Sequence, residues 1–419
     1  MDGDPAVEPE LDSFSLTLPL PYRVALVIVL GVWAWGANLH YLSLTKIDVP
    51  YLLQYPPRAS PRTDPPHHLS AYRLATLLSI PLGLSLLLFW ALSHRNPTLV
   101  IHYDYLPISY LCIILGIFFL PIRRFSSAGR TRFLTTLRRI SIGGIAHAGN
   151  GKFSDILLAD VLTSYAKIIA DLFVSLCMFF RHDGSATGRP DRGCGGQYIV
   201  PIVIAIPSLI RFRQCIIEYL RVRDSNRRNG GIGAHGWGGQ HLANALKYFS
   251  AFPVIVLSAL QRNLSLDHED IGLTETALYR LWLVAVFTNS FYSFYWDVAK
   301  DWDLTLFTSA RSSTPHAFGL RPRLYFPSKE IYYFAIVTDL LLRCTWSLKL
   351  SPHLDHFADF ESGIFLMEFL EVGRRWMWIF FRVETEWVRN TTSGGLGAPG
   401  QDDVLLGDFS SGKDSDEED

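Results

Sequence analysis

Long apolar stretches constrain this chain more than any other feature of its sequence. A helix needs about 20 mainly apolar residues to cross the hydrocarbon of a bilayer. Stretches of that kind recur at roughly 21–43, 72–94, 105–122, 154–180, 197–212, 241–262, 277–298, 331–350 and 363–382. Inside lipid each backbone N–H and C=O must be satisfied within its own segment, so the pattern predicts an all-α, polytopic transmembrane bundle of about nine helices. The charged fraction is 18%, against about 25% for a soluble domain. The first three stretches are the most purely apolar, and the other six carry charges. A formal net charge of −1 offers no electrostatic footing for nucleic acid.

Lysine and arginine between the spans set the orientation. The regions 44–71, 123–153, 211–240, 299–330 and the C-terminal tail hold about 23 of them, against a handful in the alternate regions. The positive-inside rule then predicts a luminal N-terminus and a cytosolic C-terminus. Residues 1–20 read as a short luminal N-terminus without the features of a cleavable signal. Residues 21–150 read as N-terminal transmembrane helices with a basic cytosolic loop, and 151–390 as a second transmembrane domain. Residues 391–419 read as a disordered acidic tail ending in Asp414-Ser415-Asp416-Glu417-Glu418-Asp419. The sequon at Asn263 falls on the luminal side and the one at Asn390 on the cytosolic side. The five cysteines form no CxxC or zinc spacing, and no disulfide framework follows from them.

The usual enzyme signatures are absent, so no enzyme activity, cofactor or metal is expected. Gly231 to Gly236 matches GxGxxG, but no strand precedes it and no βαβ unit surrounds it. There is no HExxH and no GxSxG.

The chemistry lies in the charges of the later spans. Asp160 and Asp171 fall on the fourth, and Asn244 and Lys247 on the sixth. Asp297 and Asp301 are four apart on the seventh, and Asp339, Arg343 and Trp346 share one stripe of the eighth. On the ninth, Glu371 can hold Arg374 or Arg375 at i+3 or i+4, with Glu368 and Arg382 nearby. A charge at the bilayer centre costs about 2.5–3.5 kcal/mol on insertion scales, so such groups face a cavity or a partner. Arginine binds oxyanions through a planar fork and stays charged, so the stripes suit an anion that binds and leaves. Ion pairs that only fix helix packing are the competing reading.

Several segments together resemble the EXS-domain family: Pro207-Ser-Leu-Ile-Arg211, His241-Leu-Ala-Asn244-Ala-Leu-Lys247-Tyr248, Tyr295-Trp296-Asp297-Val-Ala-Lys-Asp301-Trp302, Asp339-Leu-Leu-Leu-Arg343-Cys-Thr-Trp346 and Glu371-Val-Gly-Arg374-Arg375. The likeness is to its phosphate exporters and, within it, to the short fungal Golgi members needed for retention of luminal endoplasmic reticulum proteins. The resemblance implies that Arg211, Lys247, Arg343, Arg374 and Arg375 contact phosphate. It also implies that Asp160, Asp297 and Asp301 line the path with Asn244, and that Trp346 is an aromatic gate. Asp339 and Glu371 would support these arginines, and Thr163 stands where the exporters have an asparagine. No SPX sensor domain is expected, because only about 20 residues precede the first span. The resemblance further implies a Golgi-membrane transporter that moves inorganic phosphate, released by luminal glycosylation, to the cytosol. It would support glycosyltransferase recycling and would form a homodimer through the earlier helices. A sorting factor that retains ER and Golgi proteins through its loops and tail, with glycosyltransferase or coat-recycling partners, is the alternative.

Overall fold

A computed structural model of the chain describes residues 11–55, 66–120, 127–147, 150–181, 184–228, 236–267, 275–312, 317–345 and 361–392. Among these residues every regular element is helical, as expected. The first three spans are α1 (Leu20–Leu44), α2 (His67–Ser93) and α3 (Tyr105–Phe119), and the basic segment forms α4 (Ser127–Arg138). The remainder runs α5 (Lys152–Ser164), α6 (Ala166–Phe180), α7 (Ile199–Arg228), α8 (Gly239–Phe249), α9 (Ala251–Asp267), α10 (Glu275–Trp296), α11 (Glu330–Arg343) and α12 (Glu361–Thr392). Each expected span therefore falls on a helix or a helix pair.

Among the described residues five helices are long and apolar enough to cross a membrane, or six if the bent pair α5–α6 counts as one span. The helices at the last three expected spans fall short of that measure. α11 has 14 residues, α12 carries a series of charges, and α10 is rich in hydroxyl and aromatic residues.

Several details differ from the sequence expectation. The fourth span is broken by a 62° bend between α5 and α6. At the break the Thr163 hydroxyl donates to the Asp160 carbonyl (2.7 Å) and the Tyr165 N–H turns to Leu162 (3.1 Å), the local competition by which Ser and Thr disturb helices. Gly31 of α1 faces this bend; a Cβ there would lie 2.1 Å from the Tyr165 hydroxyl. α7 continues sixteen residues past the expected end at 212. Its polar extension is held by Arg213, which donates to the Ile142 carbonyl (2.6 Å), and by Arg221, which donates to that of Ile145 (2.7 Å).

The absence of a disulfide framework is corrected. Cys177 and Cys194 are bonded, with Cα atoms 6.1 Å apart and a sequence separation of 17. The segment after α6 folds back on the helix end, a juxtaposition that no local spacing announces.

The two ends of the bundle are distinct. At one end the Trp90 indole donates to the Thr17 carbonyl (2.7 Å), Thr187 donates to that of Val100 (2.7 Å), and Arg23 and Arg192 converge on Glu361. The disulfide lies at this end. The other end carries Arg139 on Asp155, Lys152 on Glu218 and Arg321 on Glu384. One apolar core joins α1, α2 and α3, and a second gathers around Trp302, Trp378 and Phe381.

Candidate functional site

Between the two ends, α5, α7, α8, α11 and α12 and the turn after α10 bring five cations and five carboxylates together. The turn Asp297–Asp301 is a single π-helical turn, closed by the Trp302 N–H donating to the Asp297 carbonyl five residues back (2.8 Å). Such turns recur at functional sites because they re-aim side chains within a helix. Here both aspartates meet one lysine: Lys247 Nζ lies 3.0 Å from Asp297 Oδ1 and 3.2 Å from Asp301 Oδ2.

Asp297 is the hub. Its other oxygen accepts from Arg343 Nη2 and lies 3.3 Å from Arg374 Nη1. Asp339 bridges the same two arginines, 3.1 Å from Arg343 Nε and 2.9 Å from Arg374 Nη1. Glu371 takes the other side of the Arg374 fork at 2.8 and 2.6 Å. Asp297, Asp339 and Arg374 are almost wholly buried, whereas the Arg343 side chain is 11% and that of Glu371 37% exposed, so these two form the open edge.

A second branch lies beside the hub. Arg211 Nε donates to Asp160 Oδ1 (2.8 Å), which also accepts from the Tyr248 hydroxyl (2.5 Å), and the guanidinium stands 4.9 Å from the Tyr248 ring centroid. Arg375 donates to Ser164 (2.8 Å) and Thr163 (3.2 Å) and rests on the Trp378 ring, 4.5 Å from its centroid. Ser164 in turn donates to Glu371 (2.6 Å), tying the branches together. Among the described residues Arg375 Nη1 and Asn244 Oδ1 are buried without a hydrogen-bond partner. A buried unsatisfied donor or acceptor costs about 1–3 kcal/mol, so each marks a place that a ligand could fill.

The sequence-expected residues Asp160, Thr163, Arg211, Lys247, Asp297, Asp301, Asp339, Arg343, Glu371, Arg374 and Arg375 thus join one connected network. Asn244 lies a turn from Lys247 and lines a cavity of about 30 Å3 with Arg211 and Asp301. Thr163 keeps a polar contact to Arg375 although it lacks the amide of an asparagine. Trp346, the expected gate, lies outside the described residues. Three contributors lie outside the sequence-expected set: Tyr248, Ser164 and Gln214, which accepts from Arg211 Nη1 (2.6 Å). Ser164 has a findable signal, since it follows Asp160 by four residues on one helix face.

Two opposing properties follow from the geometry. Five carboxylates balance five cations, so the network by itself carries no net charge. An entering anion must then compete with Asp297, Asp339 or Glu371 for the forks, and it is released when a carboxylate returns. Among the described residues no cluster of three or more His, Cys, Asp or Glu is placed to hold a metal ion.

Comparison with known proteins assigns the architecture. The EXS family model matches residues 18–388. Protein ERD1 homolog 1 of Schizosaccharomyces pombe is 32% identical over 382 residues, covering 90% of this chain and 93% of its own length. Human solute carrier family 53 member 1 is 28% identical over 389 residues, covering 88% of this chain and 50% of its own. SPX and EXS domain-containing protein 1 of Dictyostelium discoideum is 26% identical over 91% of this chain and 38% of its own. The buried charges and this match over nearly the whole chain lead to one assignment: the protein is a member of the EXS family.

Proposed function

We propose that this chain is a transporter, not an enzyme, and that it carries inorganic phosphate through the bundle by exchanging its arginine-bound carboxylates for the anion. The observation that carries the reading is the neutral, almost fully buried network in which Arg343, Arg374 and Arg375 converge and Arg375 Nη1 has no hydrogen-bond partner. Guanidinium forks match the paired oxygens of phosphate, and removal from water strengthens each contact. The likeness to a solute carrier and to ERD1 homologs supports membrane transport by such a network.

The same reading puts the protein in a Golgi membrane, returning phosphate released by luminal glycosylation to the cytosol. In that setting it supports glycosyltransferase recycling and retention of luminal ER proteins. The Cys177–Cys194 disulfide favours an oxidising compartment at its end of the bundle. That end also holds the segment leading into α1, in keeping with a luminal N-terminus and a cytosolic C-terminus. The many arginines at the opposite end agree with the positive-inside rule.

The test is efflux of labelled phosphate from proteoliposomes. Arg343→Lys keeps the charge but loses the fork, so it should slow efflux at least about tenfold while the protein remains folded. Wild-type rates in both Arg343→Lys and Arg374→Ala would sink the proposal.

A further inference from the structure

We infer that Glu368 is a proton-binding site coupled to anion passage, an inference that rests on the network being an anion path. α12 places Glu368 seven residues after Glu361, at one end of the bundle, and three before Glu371, at the open edge of the network. Three residues are about 4.5 Å of helix, so the carboxyl group stands between the end and the arginines.

Its surroundings set it apart. Glu368 is 5% exposed, yet among the described residues it has no hydrogen-bond or ion-pair partner. The other buried carboxylates are all held by cations: Asp155 by Arg139, Glu218 by Lys152, Glu384 by Arg321 and Glu386 by Arg382, besides those of the network. Even Asp171 has Arg192 Nε at 3.8 Å.

The charged groups that face Glu368 are Asp171 and Lys167 from α6, Arg192 from the segment after α6, and Arg23 from α1. Both arginines are already committed to Glu361, Arg23 at 2.6 Å and Arg192 at 2.6 and 3.1 Å. Lys167 is exposed on α6. Two arginines therefore serve three carboxylates, and the unserved one is Glu368. A buried carboxylate that has no cation of its own and lies near a second carboxylate is unfavourable when ionised, and taking up a proton removes the penalty.

The coupling follows from charge balance. The network by itself is neutral, so an anion arriving there brings uncompensated negative charge one helical turn from Glu368. A proton on Glu368 offsets part of that charge, and each species favours the binding of the other. In the step itself a Glu368 oxygen forms an O–H bond with a proton from water at the Arg23–Glu361 end. The bond breaks when the anion leaves, the proton returns to water as the carboxylate re-forms, and nothing is oxidised or reduced.

The experiment has two arms on the full chain. In proteoliposomes, wild-type efflux of inorganic phosphate should respond to an imposed pH gradient, and E368Q efflux should not. A gradient response in E368Q equal to that of wild type overturns the inference. In the second arm, pH-difference infrared spectra of the purified protein should show a protonated-carboxyl C=O band that is missing in E368Q. No such band in the wild type, or a band unchanged in E368Q, also overturns it. If E368Q fails to fold, E368D replaces it and the band must shift; an unshifted band overturns the inference as well. Wild-type vesicles that pass no phosphate would instead defeat the transport reading, while the infrared arm still decides the proton site.

Discussion

α2 and α12 bury opposite kinds of side chain. α2 exposes Ile80, Leu84 and Leu87 at 59–65% and buries only a few positions, among them Leu78, Leu82 and Phe89. α12 buries Glu368, Arg374, Arg375, Arg382, Glu384, Glu386 and Arg389, and exposes Leu366, Phe369 and Trp376. The difference is one of solvent. A helix facing lipid needs only an apolar surface, because hydrocarbon is as apolar as leucine. A helix that carries charge must turn it towards partners on other helices, since water is not there to solvate it. The apolar half is thus specified by composition, and the charged half by mutual geometry.

Substitutions can test this contrast, starting with the hub. Asp297→Asn removes the carboxylate shared by Lys247, Arg343 and Arg374. Breaking a buried ion-pair cluster in this way costs about 3–5 kcal/mol. Thermal melts in detergent should fall accordingly, and phosphate efflux should drop at least about tenfold, the rate equivalent of about 1.4 kcal/mol. Unchanged stability and efflux after Asp297→Asn would mean that the charged half is no more geometry-dependent than the apolar half.

The seam between the halves should respond less. Gly31→Ala drives a methyl group into the Tyr165 hydroxyl at the α5–α6 bend. Overpacking of this kind costs about 1–3 kcal/mol. Because Asp160, Thr163 and Ser164 directly precede the bend, efflux should fall together with the melting temperature. Stability lost without any change in efflux would show that the seam does not position the network.

The smallest effect belongs to the lipid-facing surface. Leu84→Ala on α2 touches no ion pair and is 65% exposed. Its stability should lie within about 0.5 kcal/mol of wild type, with unchanged efflux. A large effect would reveal a protein contact on that face.

Much of the candidate site is legible in the sequence because a charge inside an apolar stretch is conspicuous wherever it sits. Asp297 and Asp301 at i and i+4, and Glu371 before Arg374 and Arg375, stand out by local spacing, and the network contains them all. Tyr248 does not stand out, because a hydroxyl in a membrane helix has many uses, and the spacing of Ser164 from Asp160 gives its face but not its partners. Only the approach of α5 to α12 gives Ser164 its role between Glu371 and Arg375. Glu368 and Glu371 look alike as sequence neighbours, yet one holds an arginine and the other holds none.

The sequence by itself determined that this is an all-helical membrane protein, where its helices fall and which of them carry charge. Hydropathy is a local, additive property, so a window of about 20 residues suffices to read it. Tertiary structure alone decided the Cys177–Cys194 bond and the division of cations among carboxylates. Those depend on groups that meet across long separations, 77 positions from Asp297 to Arg374 and 211 from Ser164 to Arg375. A Coulomb interaction falls off with distance in space, and distance along the chain does not fix distance in space.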